Sequence, residues 1–185
     1  MSTTLAPGPE SRYLDAAREC IVQLGWKRAT LTDIARRAGV SRMTIYRRWP
    51  DTGALLSDLL VREWGQLFED AALTGGRLAD GMTRTVATLR ENELFLKIIE
   101  VDPELLLPYL FERLGRNQTA ALELLERQVR DGQERGEVRA GDARLLAQTL
   151  LLTTYGFVLS ARTFELSLEE LDAELRTLIE RYLAP

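Results

Sequence analysis

The segment ARRAGVSRMTIYRRW, Ala35–Trp49, gathers five arginines around a single glycine. Gly39 can adopt the left-handed backbone conformation that ends a helix, because it has no Cβ atom to clash. Ser41 then offers an N-cap for a new helix that runs from about Arg42 to the end of the segment. The segment therefore predicts two short helices joined through a glycine turn.

The residues before and within this segment predict how the helices begin and pack. Thr30, with Asp33 three residues later, forms a variant of the capping box, so the second helix of the chain starts near Leu31. A first helix precedes it, since apolar residues recur at spacings of three and four, at Leu14, Ala17, Ile21 and Leu24, before Gly25. Small and apolar residues allow the second and third helices to cross closely, namely Ile34, Ala35, Ala38, Val40 and Ile45. This arrangement is a helix-turn-helix.

The outward face of the third helix has the chemistry of a DNA major-groove reader. An arginine can donate two hydrogen bonds to a guanine edge, a threonine methyl can contact a thymine methyl, and hydroxyls or further arginines can hold phosphates. Arginine clusters on helices are also common as solvated faces, and that alternative stays open for each residue alone. Together with the caps and the small residues, the face favours DNA binding; it carries Arg42, Met43, Thr44, Tyr46, Arg47 and Arg48, with Trp49 at its end.

Charge is unevenly distributed along the chain, although the whole protein has a formal net charge of −4. Residues 1–51 carry nine Lys or Arg against five acids, a net charge of +4, and residues 52–185 carry fifteen against twenty-three, a net charge of −8. This polarity predicts two domains. We expect a DNA-binding domain over 1–51, with residues 1–10 as a flexible tail, and a second helical domain over 52–185.

Helical periodicity continues to the end of the sequence, and no alternating apolar run indicates a strand, so the expected fold class is all-α. Asp142 predicts the cap of a late helix that is apolar on nearly every side, and the last helix has an apolar stripe opposite an acidic face. The other expected helices cover about 52–71, 78–91, 93–101, 103–114 and 117–135.

Composition limits the other functional classes. The chain has no histidine and one cysteine, which excludes histidine-based catalysis, the usual Cys/His zinc sites and an intramolecular disulfide. Glu100, Asp102 and Glu104 cluster in sequence, but helix capping and solubility explain them better than an active site does. We therefore expect no enzyme activity, no metal and no cofactor.

A membrane location is also disfavoured. The uncharged run Leu145–Ala161 is shorter than the roughly 20 apolar residues needed to cross a bilayer and contains several polar residues, so it predicts a buried helix. The first ten residues contain no basic-then-apolar leader. With a single cysteine, these features favour the cytoplasm.

The residues from Gly25 to Leu56, GWKRATLTDIARRAGVSRMTIYRRWPDTGALL, resemble the DNA-binding segment of the TetR family of bacterial transcriptional repressors. The features that carry the resemblance stand at Thr30, Ile34–Ala35, Ala38–Ser41, Tyr46 and Trp49–Pro50. Two positions depart from the family pattern, because Thr52 stands where many members have a phosphate-binding lysine and Met43 where a glycine is common. The resemblance implies DNA contacts, mostly at phosphates, with Arg42 and Thr44 as base readers. The candidates are Thr30, Ser41, Arg42, Met43, Thr44, Tyr46, Arg47, Trp49 and Thr52.

The last two helices either close the monomer core only or also form a homodimer interface. We expect a homodimer whose interface is a four-helix bundle of two helices from each subunit, because two-fold symmetry lets two recognition helices meet the half-sites of a palindromic operator. The candidate interface residues are Leu151, Tyr155, Val158, Leu168, Leu171, Leu175, Leu178 and Tyr182.

The resemblance further implies a small-molecule pocket among the helices from the fourth to the eighth, for an apolar or aromatic ligand. A ligand that prefers a conformation with separated recognition helices would release the DNA. The expected function is therefore a repressor; a protein-binding helical adaptor and a regulator without a small-molecule inducer are the alternatives. The candidate pocket residues, each of which also fits an ordinary core position, are Trp64, Phe68, Met82, Phe95, Tyr109, Phe111, Gln148 and Thr153.

Overall fold

The computed structural model describes residues 9–73, 77–112 and 114–185, with all their side chains except those of residues 9, 66–73 and 109. Within these ranges the chain forms ten α-helices and two 3₁₀ turns and contains no strand, so the all-α expectation is confirmed. Residues 1–8 of the tail that was expected over 1–10 lie outside the described residues, whereas Pro9 and Glu10 begin α1, so the tail prediction is wrong for these two residues. The helices are α1 Pro9–Leu24, α2 Leu31–Arg37, α3 Arg42–Arg48, α4 Thr52–Leu73, α5 Leu78–Glu91, α6 Glu93–Val101, α7 Leu107–Phe111, α8 Arg116–Glu134, α9 Ala143–Leu159 and α10 Leu168–Leu183, with 3₁₀ turns at Pro103–Leu105 and Ala161–Thr163.

The chain divides into two compact units. The first comprises the chain up to Glu63 together with Glu93–Arg113, and the second comprises Trp64–Asn92 together with Leu114–Pro185. The first unit thus contains, besides the three N-terminal helices, the first half of α4 and the segment with α6 and α7.

The core of the first unit forms where α1, α2 and α3 cross. Ile34 and Ala35 of α2 and Ile45 of α3 are buried, as the expected close crossing requires. The α1 and α4 helices contribute further buried side chains, and α6 packs on α1 with its own apolar face. The buried residues that α1, α4 and α6 contribute to this core are Leu14, Ala17, Ile21, Leu55, Leu59, Leu94, Phe95 and Ile98.

The core of the second unit is built by α5, α8, α9 and α10. The α8 helix packs on α9, and α5 packs on both α9 and α10. The loop before α9 is held to the end of the chain, because the N–H of Arg139 donates to the carbonyl of Leu183 at 2.9 Å and the Arg139 guanidinium lies 4.7 Å from the ring centroid of Tyr182. The buried side chains of this core include Met82, Val86, Leu122, Val129, Leu146, Leu150, Leu175 and Ile179.

One expected helix is divided in the structure. The sequence predicts a helix from about Pro103 to Leu114, but the chain forms the 3₁₀ turn Pro103–Leu105 and then the five-residue helix α7. Pro108 is the reason, because a proline has no N–H to donate and its ring collides with the preceding turn of a continuous helix. Pro108 therefore lies in the first turn of a new helix, where no such hydrogen bond is needed.

Candidate nucleic-acid interface

The turn between α2 and α3 has the geometry that the sequence predicts. Gly39 has a φ angle of +67°, and a Cβ atom added there would meet no atom within 4 Å. The glycine is thus required for its backbone conformation and not for space. The N–H of Val40 donates to the carbonyl of Ala35 at 3.0 Å, which satisfies the end of α2 and directs the chain into α3.

Both helices begin with the expected side-chain caps. The Oγ1 atom of Thr30 accepts a hydrogen bond from the N–H of Asp33 at 3.1 Å, and the Oγ atom of Ser41 accepts one from the N–H of Thr44 at 3.2 Å. The two hydroxyl oxygens of Ser41 and Thr44 also lie 2.9 Å apart. This pair of hydroxyls at the start of α3 is exposed and can present hydrogen-bond donors to a phosphate.

The Thr30 cap also acts on a neighbouring carboxyl group. Its hydroxyl donates to Oδ2 of Asp33 at 2.5 Å, and the Arg36 guanidinium lies 2.7 Å from Oδ1. The hydrogen bond from Thr30, with a smaller contribution from Arg36, lowers the pKa of Asp33 below its ordinary value. Asp33 therefore remains ionised and supports the positive end of α2.

The five arginines of the segment differ in what they bind. Three of them pair with acids of the same unit: Arg36 with Asp33, Arg37 with Glu19, and Arg48 with Glu10. The remaining two are Arg42 and Arg47, which form no ion pair with any described residue; their side chains project from α3 into solvent. The positive charge available to a phosphate on α3 is therefore concentrated in these two side chains.

The exposed surface of α3 combines these cations with apolar and hydroxyl groups. The Arg42 guanidinium lies 5.9 Å from the centroid of the Tyr46 ring, which is itself exposed. Met43 is 70% exposed and adds an apolar group to this surface. A shallow concavity on this surface is lined by Ser41, Met43, Thr44, Tyr46 and Arg47.

Trp49 corrects one expectation about this face. It is among the DNA-contact residues that the sequence predicts, but its side chain is only 1% exposed. Its Nε1–H donates to Oδ2 of Asp58 at 2.8 Å, and its ring packs edge-to-face on Tyr13 with centroids 6.3 Å apart. Burial with a satisfied N–H stabilises a large indole more than solvent contact does, so Trp49 is part of the core that supports α3.

The start of α4 places Thr52, a candidate DNA-contact residue, beside an acidic cap. Thr52, the first residue of α4, is half-buried. The N–H of Ala54 donates to Oδ1 of Asp51 at 2.8 Å. A carboxylate thus caps this helix end, a feature that the aspartate after Pro50 could have indicated in the sequence.

The carboxylates of residues 100–104 have structural partners. Oδ2 of Asp102, which is buried, accepts a hydrogen bond from the backbone N–H of Trp26 at 2.7 Å. Glu104 forms an ion pair with Lys27. The side chain of Asp102 makes no capping hydrogen bond, so helix capping is the wrong explanation for this residue, which instead joins the turn after α1 to the segment after α6.

The candidate pocket residues do not form one group within either unit. Phe95 is buried and Phe111 is 80% exposed in the first unit, while Met82 is buried and Gln148 exposed in the second. Phe111 and Gln148 face solvent and line no interior, because Phe111 ends the short helix α7 and Gln148 lies on the exposed side of α9. Of the others, Trp64 and Thr153 are half-buried, and the side chains of Phe68 and Tyr109 lie outside the described part of the structure.

Two candidate interface residues are engaged within the monomer. Leu175 is fully buried in the second core. The hydroxyl of Tyr155 accepts a hydrogen bond from Nε2 of Gln118 at 2.8 Å, and burial raises the pKa of Tyr155. Among the other candidates Leu178 is exposed, and Leu151, Val158, Leu168, Leu171 and Tyr182 are half-buried.

Two exposed apolar residues of α9 are not among the candidate interface residues predicted from the sequence. Leu145 and Leu152 lie two helical turns apart and are both largely exposed, Leu152 to 67%. Their spacing of seven residues in a leucine-rich helix was the available sequence signal.

Comparison with known proteins agrees with this geometry. Residues 14–59, which hold the capped turn and α3, match the family model described as bacterial regulatory proteins of the tetR family. Over 177 residues the chain is 37% identical to the uncharacterized HTH-type transcriptional regulator Rv2250c of Mycobacterium tuberculosis, covering 93% of both chains. The chain belongs to the TetR family. It is therefore a DNA-binding, helix-turn-helix transcriptional regulator, as the resemblance implied.

Solved structures share the fold of this TetR-family chain at lower identity. GusR of Salmonella enterica is 21% identical, with a TM-score of 0.69 over 98% of this chain and 99% of its own. SmeT in complex with triclosan is 22% identical, with a TM-score of 0.65 over 97% of this chain and 93% of its own. Within the described residues of the present regulator, no helix is long and apolar enough to cross a membrane.

Proposed function

We propose that this TetR-family regulator is a repressor in the bacterial cytoplasm that binds a palindromic operator as a homodimer and is released by a small apolar or aromatic ligand. The observation that carries the DNA-binding part is the pair Arg42 and Arg47 on a capped helix, free of ion pairs with described residues, beside the exposed Met43. Arginines without internal partners retain their donors for guanine edges and phosphates.

The exposed leucines of α9 and α10 support the homodimer. Leu145, Leu152 and Leu178 remain in solvent in the monomer. Apolar side chains that repeat along adjacent helices are stabilised when a second copy covers them. A two-fold dimer would present two copies of α3 to half-sites about 34–36 Å apart, which is why we propose a palindromic operator.

The proposal that a ligand releases the regulator from its operator rests on likeness to family members. SmeT, which shares the fold, has been solved with triclosan. The second unit of the present chain contains a large apolar core. A ligand that binds better to a conformation with separated recognition helices would lower operator affinity by its preference for that conformation.

The test is a mobility-shift titration on the DNA flanking the regulator's own gene, with wild type, Arg42→Ala and Arg47→Ala. We expect wild type to shift a palindromic site and each variant to lose about 1–3 kcal/mol of binding free energy. The slope of log affinity against log salt should fall by about one for an arginine that binds phosphate.

Arg130→Ala is the matched control, since it removes an exposed arginine that pairs with Glu126 within α8. It should bind the operator as wild type does. Equal affinity of wild type, Arg42→Ala and Arg47→Ala would overturn the assignment of α3 as the DNA reader.

A further inference from the structure

The Arg48 guanidinium at the end of α3 is held by a carboxylate of α1. Its Nη2 atom donates to Oε1 of Glu10 at 2.7 Å, and Glu10 lies in the first turn of α1. Both side chains are about half exposed, Arg48 to 55% and Glu10 to 51%. An ion pair this exposed contributes little to stability, because water and dissolved salt screen it.

Arg48 also lies beside the hydroxyl pair at the start of α3. It follows Thr44 by four residues, so the two side chains are neighbours on one side of the helix, about 6 Å apart along its axis. The hydroxyls of Ser41 and Thr44 are exposed, and these residues line the shallow concavity of α3 together with Arg47. A DNA strand whose phosphate meets these hydroxyls therefore passes about one helical turn from Arg48.

Neither member of this ion pair depends on the other for its charge. Glu10 is exposed to water and stands near the positive end of α1, where a carboxylate is stabilised without a cation. When Arg48 moves to a phosphate it keeps an anionic partner and releases a counterion from the DNA, which favours the exchange at low salt. A duplex can therefore displace Glu10 from Arg48 at small cost.

Arg37, at the end of α2, binds α1 in a different way. Its guanidinium has two acceptors there, Oε2 of Glu19 at 3.1 Å and Oε1 of Gln23 at 2.6 Å, and its side chain is less exposed, at 33%. An exchange of partners at Arg37 would break both contacts. Arg37 therefore serves as the comparison, an arginine of the same segment that we expect to stay on α1.

We infer that Arg48 is a third DNA-binding arginine of α3, which Glu10 holds in the free protein and which exchanges Glu10 for a phosphate when a duplex binds. Arg48 then adds one phosphate contact per chain to the contacts of Arg42 and Arg47. Because phosphates are the same in every sequence, Glu10 lowers the affinity for operator and unrelated DNA alike. The inference goes beyond the proposed function, since it requires neither a palindromic operator nor a ligand.

The experiment is a fluorescence-anisotropy titration of the full chain at a series of salt concentrations. One labelled duplex comes from the DNA flanking the regulator's own gene, and the other is a scrambled duplex of the same length and composition. Glu10→Gln, Arg48→Gln and the double variant form a double-mutant cycle with wild type. The matched cycle uses Glu19→Gln and Arg37→Gln, which remove the same charges from another ion pair between α1 and the arginine segment.

We expect Glu10→Gln to bind both duplexes about threefold more tightly than wild type, because no ion pair has to be broken in the free protein. The same substitution should have a smaller effect in the Arg48→Gln background. Arg48→Gln should lower the slope of log affinity against log salt by about one for each bound chain, and Arg48→Lys should preserve it. Arg37→Gln should leave this slope unchanged.

Equal slopes for wild type and Arg48→Gln would overturn the inference, as would a gain from Glu10→Gln that is the same with and without Arg48. Weaker binding by Glu10→Gln would contradict the exchange as well, since it would show that Glu10 fixes Arg48 in place on DNA. Circular dichroism and urea midpoints establish that each variant is folded. Equal affinity of wild type for the two duplexes contradicts the proposed operator, whereas the slopes and the cycle on the scrambled duplex test the exchange independently.

Discussion

The backbone N–H of Trp26 and the buried carboxylate of Asp102 are joined by a hydrogen bond of 2.7 Å between positions 76 residues apart. Asp102→Ala leaves this N–H without its acceptor, and we expect the free energy of unfolding to fall by about 1.5–3 kcal/mol, as for hydrogen bonds to charged groups. Urea unfolding followed by tryptophan fluorescence measures the loss. Glu104→Gln is the control, since it removes only an exposed ion pair with Lys27 and should leave the midpoint unchanged. Equal effects of both variants would contradict a specific role for Asp102.

Trp49→Phe separates a core role from a DNA-contact role. The phenyl ring keeps most of the packing but leaves Asp58 without the indole N–H, and we expect stability to fall by about 1–3 kcal/mol. Operator affinity of the folded protein should stay within about twofold of wild type. Unchanged stability with weakened DNA binding would instead indicate that Trp49 contacts DNA.

Substitutions at Ser41 separate capping from phosphate contact. Ser41→Ala removes the acceptor for the N–H of Thr44, so it should cost about 0.5–2 kcal/mol of stability and also weaken DNA binding. Ser41→Asp keeps the cap but places a negative charge where we expect a phosphate. It should therefore retain stability and lose affinity, as measured by urea unfolding and mobility shift. Loss of stability without loss of affinity in Ser41→Asp would exclude a phosphate contact at this residue.

The lowered pKa of Asp33 predicts a pH dependence. A carboxyl group whose pKa is lower in the folded than in the unfolded chain stabilises the folded state above its ordinary pKa, and this contribution is lost as the pH falls through the folded pKa. Asp33→Asn should therefore destabilise the protein at neutral pH, and the difference from wild type should shrink below about pH 4. Urea midpoints at a series of pH values test this. A difference that grows in acid would show that the sign of the shift is wrong.

Leu152→Glu tests the homodimer. A carboxylate at a covered leucine would be buried without a partner, so we expect the variant to be a monomer by light scattering at micromolar concentration, while wild type has the mass of two chains. Phe111→Glu is the control, because Phe111 is at least as exposed but lies in the other unit. A wild type with the mass of one chain contradicts the homodimer, whatever the variants do.

Sequence alone was sufficient for features that depend on near neighbours. The caps at Thr30 and Ser41 and the positive φ angle of Gly39 involve residues within a few positions, and all three were confirmed. The acidic partners of Arg37 and Arg48 lie in α1, brought close only by packing. No local pattern therefore indicated which arginines of the segment would be left for DNA.

The other differences between the predictions and the structure also arise from contacts that no local pattern reveals. Trp49 is buried with its N–H donating to Asp58 of α4, a partner that the pattern of α3 does not reveal. The hydrogen bond between Trp26 and Asp102 joins residues so far apart in sequence that helical periodicity carries no information about it.

Because α9 and α10 leave leucines exposed to solvent, the concentration of this regulator would itself affect its activity. If two chains must meet to cover them, the paired form rises with the square of the free chain concentration while pairs are scarce. A twofold change in synthesis then changes the paired form about fourfold, so gene dosage and growth rate would act on the target promoter even without an inducer.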